Sequence, residues 1–309
     1  MATIGLLHPG DMGAAVGGCL VQVGHTVLWD PDGRSRATTG RALGAGLEGA
    51  GLNAVLGRSS VIFSVCPPHA ALDVARQVAG RGFGGIYVDA NAIAVATARQ
   101  VAAIVEQGGA TYVDGGIVGP PPENAGHTRL YLSGKLAPEV QALFRRSALE
   151  ARIADGPLFA ASATKMAFAA WTKGTSALLL AVRALARAEG VERTLLAEWG
   201  LSLPELSAQS GQAAQAAAQR GWRWVGEMEE IAASMAAAGL PSGFHLAAAD
   251  IYDRAKDVPA GGSTATGPGG RPLPGRPATR SGAAAPAAGN LDAVLAALMG
   301  YQAGRSSDR

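Results

Sequence analysis

A short apolar run at residues 3–7 leads directly into the turn Leu7-His8-Pro9-Gly10-Asp11-Met12-Gly13, and an alanine-rich, helix-like stretch follows at residues 12–23. A buried strand, a glycine turn and a helix in that order make the first half of a βαβ unit. Its second strand then lies parallel to the first, joined by a right-handed crossover. Further short apolar runs occur at 26–29, 61–65, 86–88 and 111–113, separated by alanine-rich segments such as 70–77. Strands alternating with helices predict a Rossmann-like, doubly wound parallel α/β sheet. Residues 129–133 add a further strand, and 138–144 has a helical pattern.

The turn carries the chemistry expected of a phosphate cradle. A full G-x-G-x-x-G fingerprint would place glycines at 8, 10 and 13; Gly10 and Gly13 are present and His8 replaces the first. Gly10 allows the backbone to approach a pyrophosphate, and Gly13 allows the helix to pack on the strand. The helix start, with Pro9, Asp11 and Met12 around it, then offers unpaired N–H groups and a partial positive charge to the anion. An ordinary glycine turn is the alternative. The second strand ends in Trp29-Asp30, and Asp30 lies 20 residues beyond Gly10, where a carboxylate would bind the ribose hydroxyls of NAD. Arg34 and Ser35 follow closely and would instead hold a 2′-phosphate. The two readings conflict, because the carboxylate repels that phosphate, and an Asx turn at Asp30 is a third. Cys66 and Pro67, just after the 61–65 strand, are also assigned to the cofactor.

Beyond about residue 160 the pattern becomes helical. Residues 161–189 form one long run of helix formers, and 195–199, 203–219 and 225–238 read as further helices. Trp222, Trp224, Glu227, Met228 and Glu230 crowd the start of the last of these; the aromatic and Met side chains read as core or dimer contacts, the acids as first-turn partners of the helix dipole. Residues 257–289 are mainly Gly, Pro, Ala, Ser and Thr, with three arginines and no aromatic residue, a composition that buries too little apolar surface to offset chain entropy. The expected division is therefore a dinucleotide-binding domain at 1–158, a helical domain at 159–256, a disordered insertion at 257–289, and a terminal helix with a tail at 290–309, the helix capped by Asn290.

A net charge of +2 argues for neither nucleic acid nor an acidic membrane surface. No run of 18 apolar residues exists to span a membrane, and the opening residues lack a signal-peptide pattern. Two cysteines, Cys19 and Cys66, show no metal-ligand spacing, and His25, His69, His127 and His245 form no cluster, so no metal site is expected. These features fit a soluble, cytoplasmic chain.

Four segments together resemble the β-hydroxyacid dehydrogenase superfamily, which includes 6-phosphogluconate dehydrogenase-like enzymes and imine reductases. They are Met12-Gly13, the run from Asp114-Gly115-Gly116 to Pro122, the segment Val88-Asp89-Ala90-Asn91-Ala92, and Lys165 after the small residues 160–164. The segments "KMAFAAWTKGTSALL" and "GWRWVGEMEEIAASMAAAGLP" resemble a subfamily with a C-terminal domain of uncharacterised function. The resemblance implies a homodimeric NAD(P)-dependent oxidoreductase acting on a small polar hydroxyacid or carbonyl substrate, with NADP favoured and NAD possible. Lys165 takes the place of the catalytic lysine; it lies in an apolar run, where burial would bring its pKa toward neutrality and suit it to acid–base work. Asn91, Gly115 and Gly116 fall at substrate-binding positions, and Lys173 is a candidate for anchoring a substrate carboxylate or lowering the pKa of Lys165. The family commonly has Asn four residues after the lysine; here that place is Ala169. Imine reduction, and nucleotide sensing without turnover, are the alternatives.

Overall fold

A computed structural model of the chain describes residues 1–259 and 288–300. Most of the insertion expected at 257–289 lies outside the described residues, as does the tail after 300. The strands are β1 (Thr3–Leu6), β2 (Thr26–Trp29), β3 (Glu48–Gly49), β4 (Val61–Ser64), β5 (Ile86–Asp89), β6 (Thr111–Val118), β7 (Thr128–Ser133) and β8 (Leu149–Ile153). Between them run α1 (Asp11–Gln22), α2 (Arg36–Gly44), α3 (Leu52–Arg58), α4 (Ala71–Ala79), α5 (Val95–Gln107) and α6 (Ala137–Leu143). The remaining helices are α7 (Ala160–Ala188), α8 (Glu192–Ser202), α9 (Leu206–Ala237), α10 (Gly243–Ala255) and α11 (Ala288–Gly300).

All eight strands join one sheet in the order β3-β2-β1-β4-β5-β6-β7-β8. Strand order reverses between β1 and β4, the switch point at which open α/β sheets leave a crevice beyond the strand C-termini. Central strands are mostly apolar because both sheet faces are covered. In β4 all four residues are buried, with Val61 and Phe63 on one side and Ile62 on the other. The Phe63 side packs with Val16, Cys19 and Leu20 of α1 and with Val140 of α6. The Ile62 side packs with Val74 and Val78 of α4 and Val101 and Val105 of α5.

The sheet is not wholly parallel. β6 and β7 pair antiparallel, with Asp114 opposite Ser133 and Gly116 opposite Tyr131. Only residues 119–127 connect these strands, fewer than the dozen or so that a parallel crossover needs. The antiparallel return follows from that length.

The helices expected at 203–219 and 225–238 form a single helix, α9. Gly221 costs about 1 kcal/mol in a helix interior. It nevertheless stays helical where a Cβ would meet the Tyr252 carbonyl of α10 at 3.3 Å, so packing outweighs propensity. Glu227 and Glu230 are therefore mid-helix residues, not first-turn acids. Asn290 lies inside α11, which begins at Ala288, and does not cap it.

The chain forms two compact units, residues 1–170 with 230–242, and residues 171–229 with those from 243 onward. In the second unit, Arg183 is buried and donates to Glu192 and to Ser210, while Arg187 binds both Glu192 and Asp292 of α11. No helix among the described residues is long and apolar enough to cross a membrane.

Candidate functional site

The parallel strands bring the candidate residues of the first unit to one edge of the sheet. Leu7 to Gly13 follow β1, Asp30 follows β2, Cys66 and Pro67 follow β4, and Asn91 follows β5. At the switch point, the Leu7 N–H donates to the Phe63 carbonyl at 3.1 Å, so the turn after β1 and the end of β4 lie side by side.

The turn is built from backbone. A Cβ on Gly13 would stand 2.0 Å from the His8 carbonyl oxygen, so only glycine allows α1 to start this close to the strand. A Cβ on Gly10 would meet nothing within 4 Å, which leaves the helix start open. Gly10 precedes the first turn of α1 with no side-chain cap, and the first helical bond there is Ala14 N–H to the Gly10 carbonyl. The N–H groups of Asp11, Met12 and Gly13 therefore face the open side without helical partners. The Asp11 carboxylate, in that first turn, is paired with Arg41 at 3.3 Å. Pro9 is buried beside His8. Burial, reinforced by the Arg34 charge, lowers the His8 pKa to about 4, so its ring is neutral at pH 7 and adds no charge for a phosphate.

After β2, the Asp30 carboxylate accepts from the Asp32 N–H at 3.1 Å, an Asx turn. The Arg34 guanidinium donates to the Leu7 carbonyl at 3.1 Å and so sits beside the turn that follows β1. Ser35 caps α2, accepting from the Thr38 N–H.

Asn91 is only 2% exposed. Its Oδ1 accepts from the Cys66 N–H at 2.6 Å, its Nδ2 donates to Ser64 Oγ at 3.1 Å, and its own N–H donates to Asp89. The side chain thus bridges the ends of β4 and β5, and it aligns Cys66 rather than presenting a free amide to a substrate. Burial, the largest cause, pushes the Cys66 thiol up to about 12, so it is no nucleophile. Burial likewise raises Asp89 to about 7, aided by the neighbouring Asp114 charge.

Gly115 and Gly116 lie inside β6, buried and laddered to β7. They are not an exposed turn displaying N–H groups. Their value is clearance: a Cβ on Gly115 would meet the Asp89 carbonyl at 2.9 Å, and one on Gly116 the Ala161 carbonyl at 2.6 Å and Lys165 Cβ at 3.0 Å. Helix α7 therefore lies directly on β6. Lys165 is half-buried, and no hydrogen-bonding or ionic partner holds its amine among the described residues. Burial alone lowers its pKa from 10.5 to about 8. Ala169, one turn further on, is fully buried.

Lys173 has protein partners of its own. In the second unit it is ion-paired with Glu227 and stacks over Trp224, 5.4 Å from the ring centroid. Burial is the cause of the Lys165 shift, and Lys173 contributes nothing to it.

Three devices escaped sequence reading because each joins distant segments. Asp114 accepts from Ser162 and Ser133. Glu230 accepts from the Ala94 N–H and Thr97 Oγ1 at the start of α5. Arg41 reaches back to Asp11. A cavity of about 440 Å³ between α6 and β8 holds none of the candidate residues, and its Gln141 already donates to the Ala151 carbonyl. No metal-binding cluster of His, Cys, Asp and Glu occurs among the described residues.

Comparison with known proteins follows this geometry. Residues 186–255 match a family model described as a domain of unknown function, DUF1932. No curated protein sequence matches the chain. Among solved structures, a conserved protein of unknown function, described as structurally similar to 3-hydroxyacid dehydrogenases, is 25% identical with a TM-score of 0.61, over 82% of this chain and 98% of that one. The 3-hydroxyisobutyrate dehydrogenase of Salmonella typhimurium is 17% identical with a TM-score of 0.62, over 82% and 93%. A reductive aminase from Aspergillus terreus, solved with NADPH and ethyl levulinate, is 21% identical with a TM-score of 0.53, over 82% and 93%. The fold is thus the β-hydroxyacid dehydrogenase-like NAD(P)-binding fold, with a helical C-terminal region.

Proposed function

We propose that this chain is an NAD(P)-dependent oxidoreductase that reduces or oxidises a small polar hydroxyacid/carbonyl pair, with Lys165 as general acid and base. One observation carries the reading. An amine with no protein partner, brought by burial to about 8, is packed on the same sheet that opens an uncapped helix start at its switch point.

The residues present fit a dinucleotide. Open space at Gly10 and the free N–H groups of the first α1 turn suit a pyrophosphate. Arg34, anchored on the Leu7 carbonyl, and Ser35 favour a 2′-phosphate, hence NADP, while Asp30 leaves NAD possible. A bound nicotinamide would supply or accept the hydride. Lys165 handles the proton. As an ammonium below about pH 8 it donates to the oxygen of a carbonyl being reduced, and as a free amine above that pH it takes the proton of an alcohol being oxidised. Asn91 holds Cys66 and the end of β4 beside the turn, which keeps the crevice in shape.

Likeness to a reductive aminase favours imine reduction as a second reading, since the Lys165 ammonium can protonate an imine nitrogen equally well. The buried Ala169, where the resemblance expects a substrate-facing Asn, keeps a nucleotide sensor without turnover in view. The chain is further proposed to work as a cytoplasmic homodimer. Two free cysteines fit the compartment, and Trp171, Leu178 and Leu185, spaced by seven along α7 and exposed, offer an apolar stripe for a second copy.

The test is a cofactor-oxidation screen with NADH and NADPH against hydroxyacids, aldehydes and imines. The reading expects turnover of a carbonyl, and Lys165→Ala should reduce kcat by about 10²–10⁴ while dinucleotide affinity is kept. Turnover of imines alone would replace the carbonyl assignment. Tight NADPH binding without any turnover would favour the sensor.

A further inference from the structure

Lys165 has no partner among the described residues to hold its amine, so the placement of its backbone must decide where that amine emerges. The first turn of α7 is held by two side chains, Asp114 of β6 and Ser133 of β7. Asp114 is 0% exposed, and its carboxylate accepts from the Ser162 N–H at 2.9 Å, from Ser162 Oγ, and from Ser133 Oγ at 2.9 Å. Ser133 Oγ also accepts from the Ala161 N–H at 3.3 Å. A carboxylate at a helix start answers both the free N–H groups and the positive end of the helix dipole. These three bonds turn the Asp114 carboxylate into the protein.

The same strand makes a second contact one step further along. Gly116 lies two residues after Asp114 and so on the same face of β6, and Lys165 lies three residues after Ser162 and so on the same face of α7. With no side chain at Gly116, the Lys165 stem rests on the strand backbone. Carboxylate and glycine together set the height and the rotation of the helix where the lysine leaves it.

We propose that Asp114 is a positioning residue for Lys165, gripping the first turn of α7 through Ser162 and Ser133 while Gly116 seats the lysine stem on β6. The inference rests on Lys165 being the acid–base group.

The chain has four lysines, Lys135, Lys165, Lys173 and Lys256, so each can be titrated separately by NMR after ¹³C-methylation, with assignment by single Lys→Arg variants. In the unaltered protein Lys165 should titrate near 8. Asp114→Asn and Gly116→Ala should each move it by a unit or more, toward the ordinary lysine value for Asp114→Asn as the loosened helix lets water reach the amine. NADPH affinity should change by less than about threefold, since the phosphate turn is untouched. Ser162→Ala removes one donor of the three and keeps the test open if Asp114→Asn fails to fold; it should give a smaller shift in the same direction. An unchanged Lys165 titration in folded Ser162→Ala and Gly116→Ala proteins would overturn the positioning role while leaving Lys165 as acid–base group. A Lys165 that titrates at 10.5 in the unaltered protein would instead overturn the acid–base reading beneath it.

Discussion

The two ends of the candidate site are built by opposite means. At the β1 end, backbone does the work: glycines, an uncapped helix start and a neutral His8 leave open N–H groups. At the β6 end, the buried Asp114 carboxylate accepts from Ser162 at the start of α7 and from Ser133, and one amine is left unmatched. A helix start left open attracts a ligand anion, whereas one closed by a protein carboxylate becomes an anchor. Which of these a helix start becomes depends on whether an acid from elsewhere in the chain reaches it.

Several measurements would break or sharpen that contrast. The largest effect is expected at Gly13. A Cβ there overlaps the His8 carbonyl, so Gly13→Ala must push α1 off the strand, and NADPH affinity by fluorescence titration should fall by about 100-fold or more. Binding within threefold of the unaltered protein would mean that the turn is not the phosphate site. The second effect concerns stability and the buried acid beside the β6 end. Asp89 is held near 7 when folded against 3.8 when free, so the folded state binds its proton more tightly. Its contribution is therefore most favourable below about pH 4, weakens as pH rises to about 7, and is flat above. Unfolding in urea should show a loss of a few kcal/mol between pH 4 and pH 8 from this group, and Asp89→Asn should remove most of that slope. A pH profile of the reaction is the third measurement. Carbonyl reduction should decline as pH rises through about 8 while alcohol oxidation increases, and a limb that persists in Lys165→Ala would belong to another group. The smallest effect should come from Arg34→Ala, which is expected to cost about tenfold in NADPH affinity and little in NADH affinity, as read by calorimetry. Equal losses for both would assign Arg34 to the turn itself, through its bond to the Leu7 carbonyl.

The glycine turn after β1 was largely legible in the sequence because it is local. Strand, turn and helix lie within residues 3–23, and the two glycines act through their own backbone. The β2 strand, the long α7 and the place of Lys165 in an apolar run were legible for the same reason, since periodicity and composition report on neighbours along the chain. The region 36–58 was not, because β3 has two residues and α3 seven, too short for a periodic signal. Gly115 and Gly116 read as substrate-binding positions because a glycine pair carries the same letters whether it frees a backbone or clears space for a helix. Asn91 and Lys173 read as substrate ligands because their partners, Cys66 and Glu227, stand 25 and 54 residues away.

Short-range sterics and hydrophobic period sufficed for the alternation of strands and helices, the glycine turn and the place of Lys165 in an alanine-rich run. Long-range packing set the antiparallel return of β7, the run of α9 through Gly221, and the closing of the α7 start by Asp114 while the α1 start stays open. Those outcomes depend on groups brought together across tens of residues, and the free energy of such meetings is settled by packing and desolvation in three dimensions rather than by any residue's own preference.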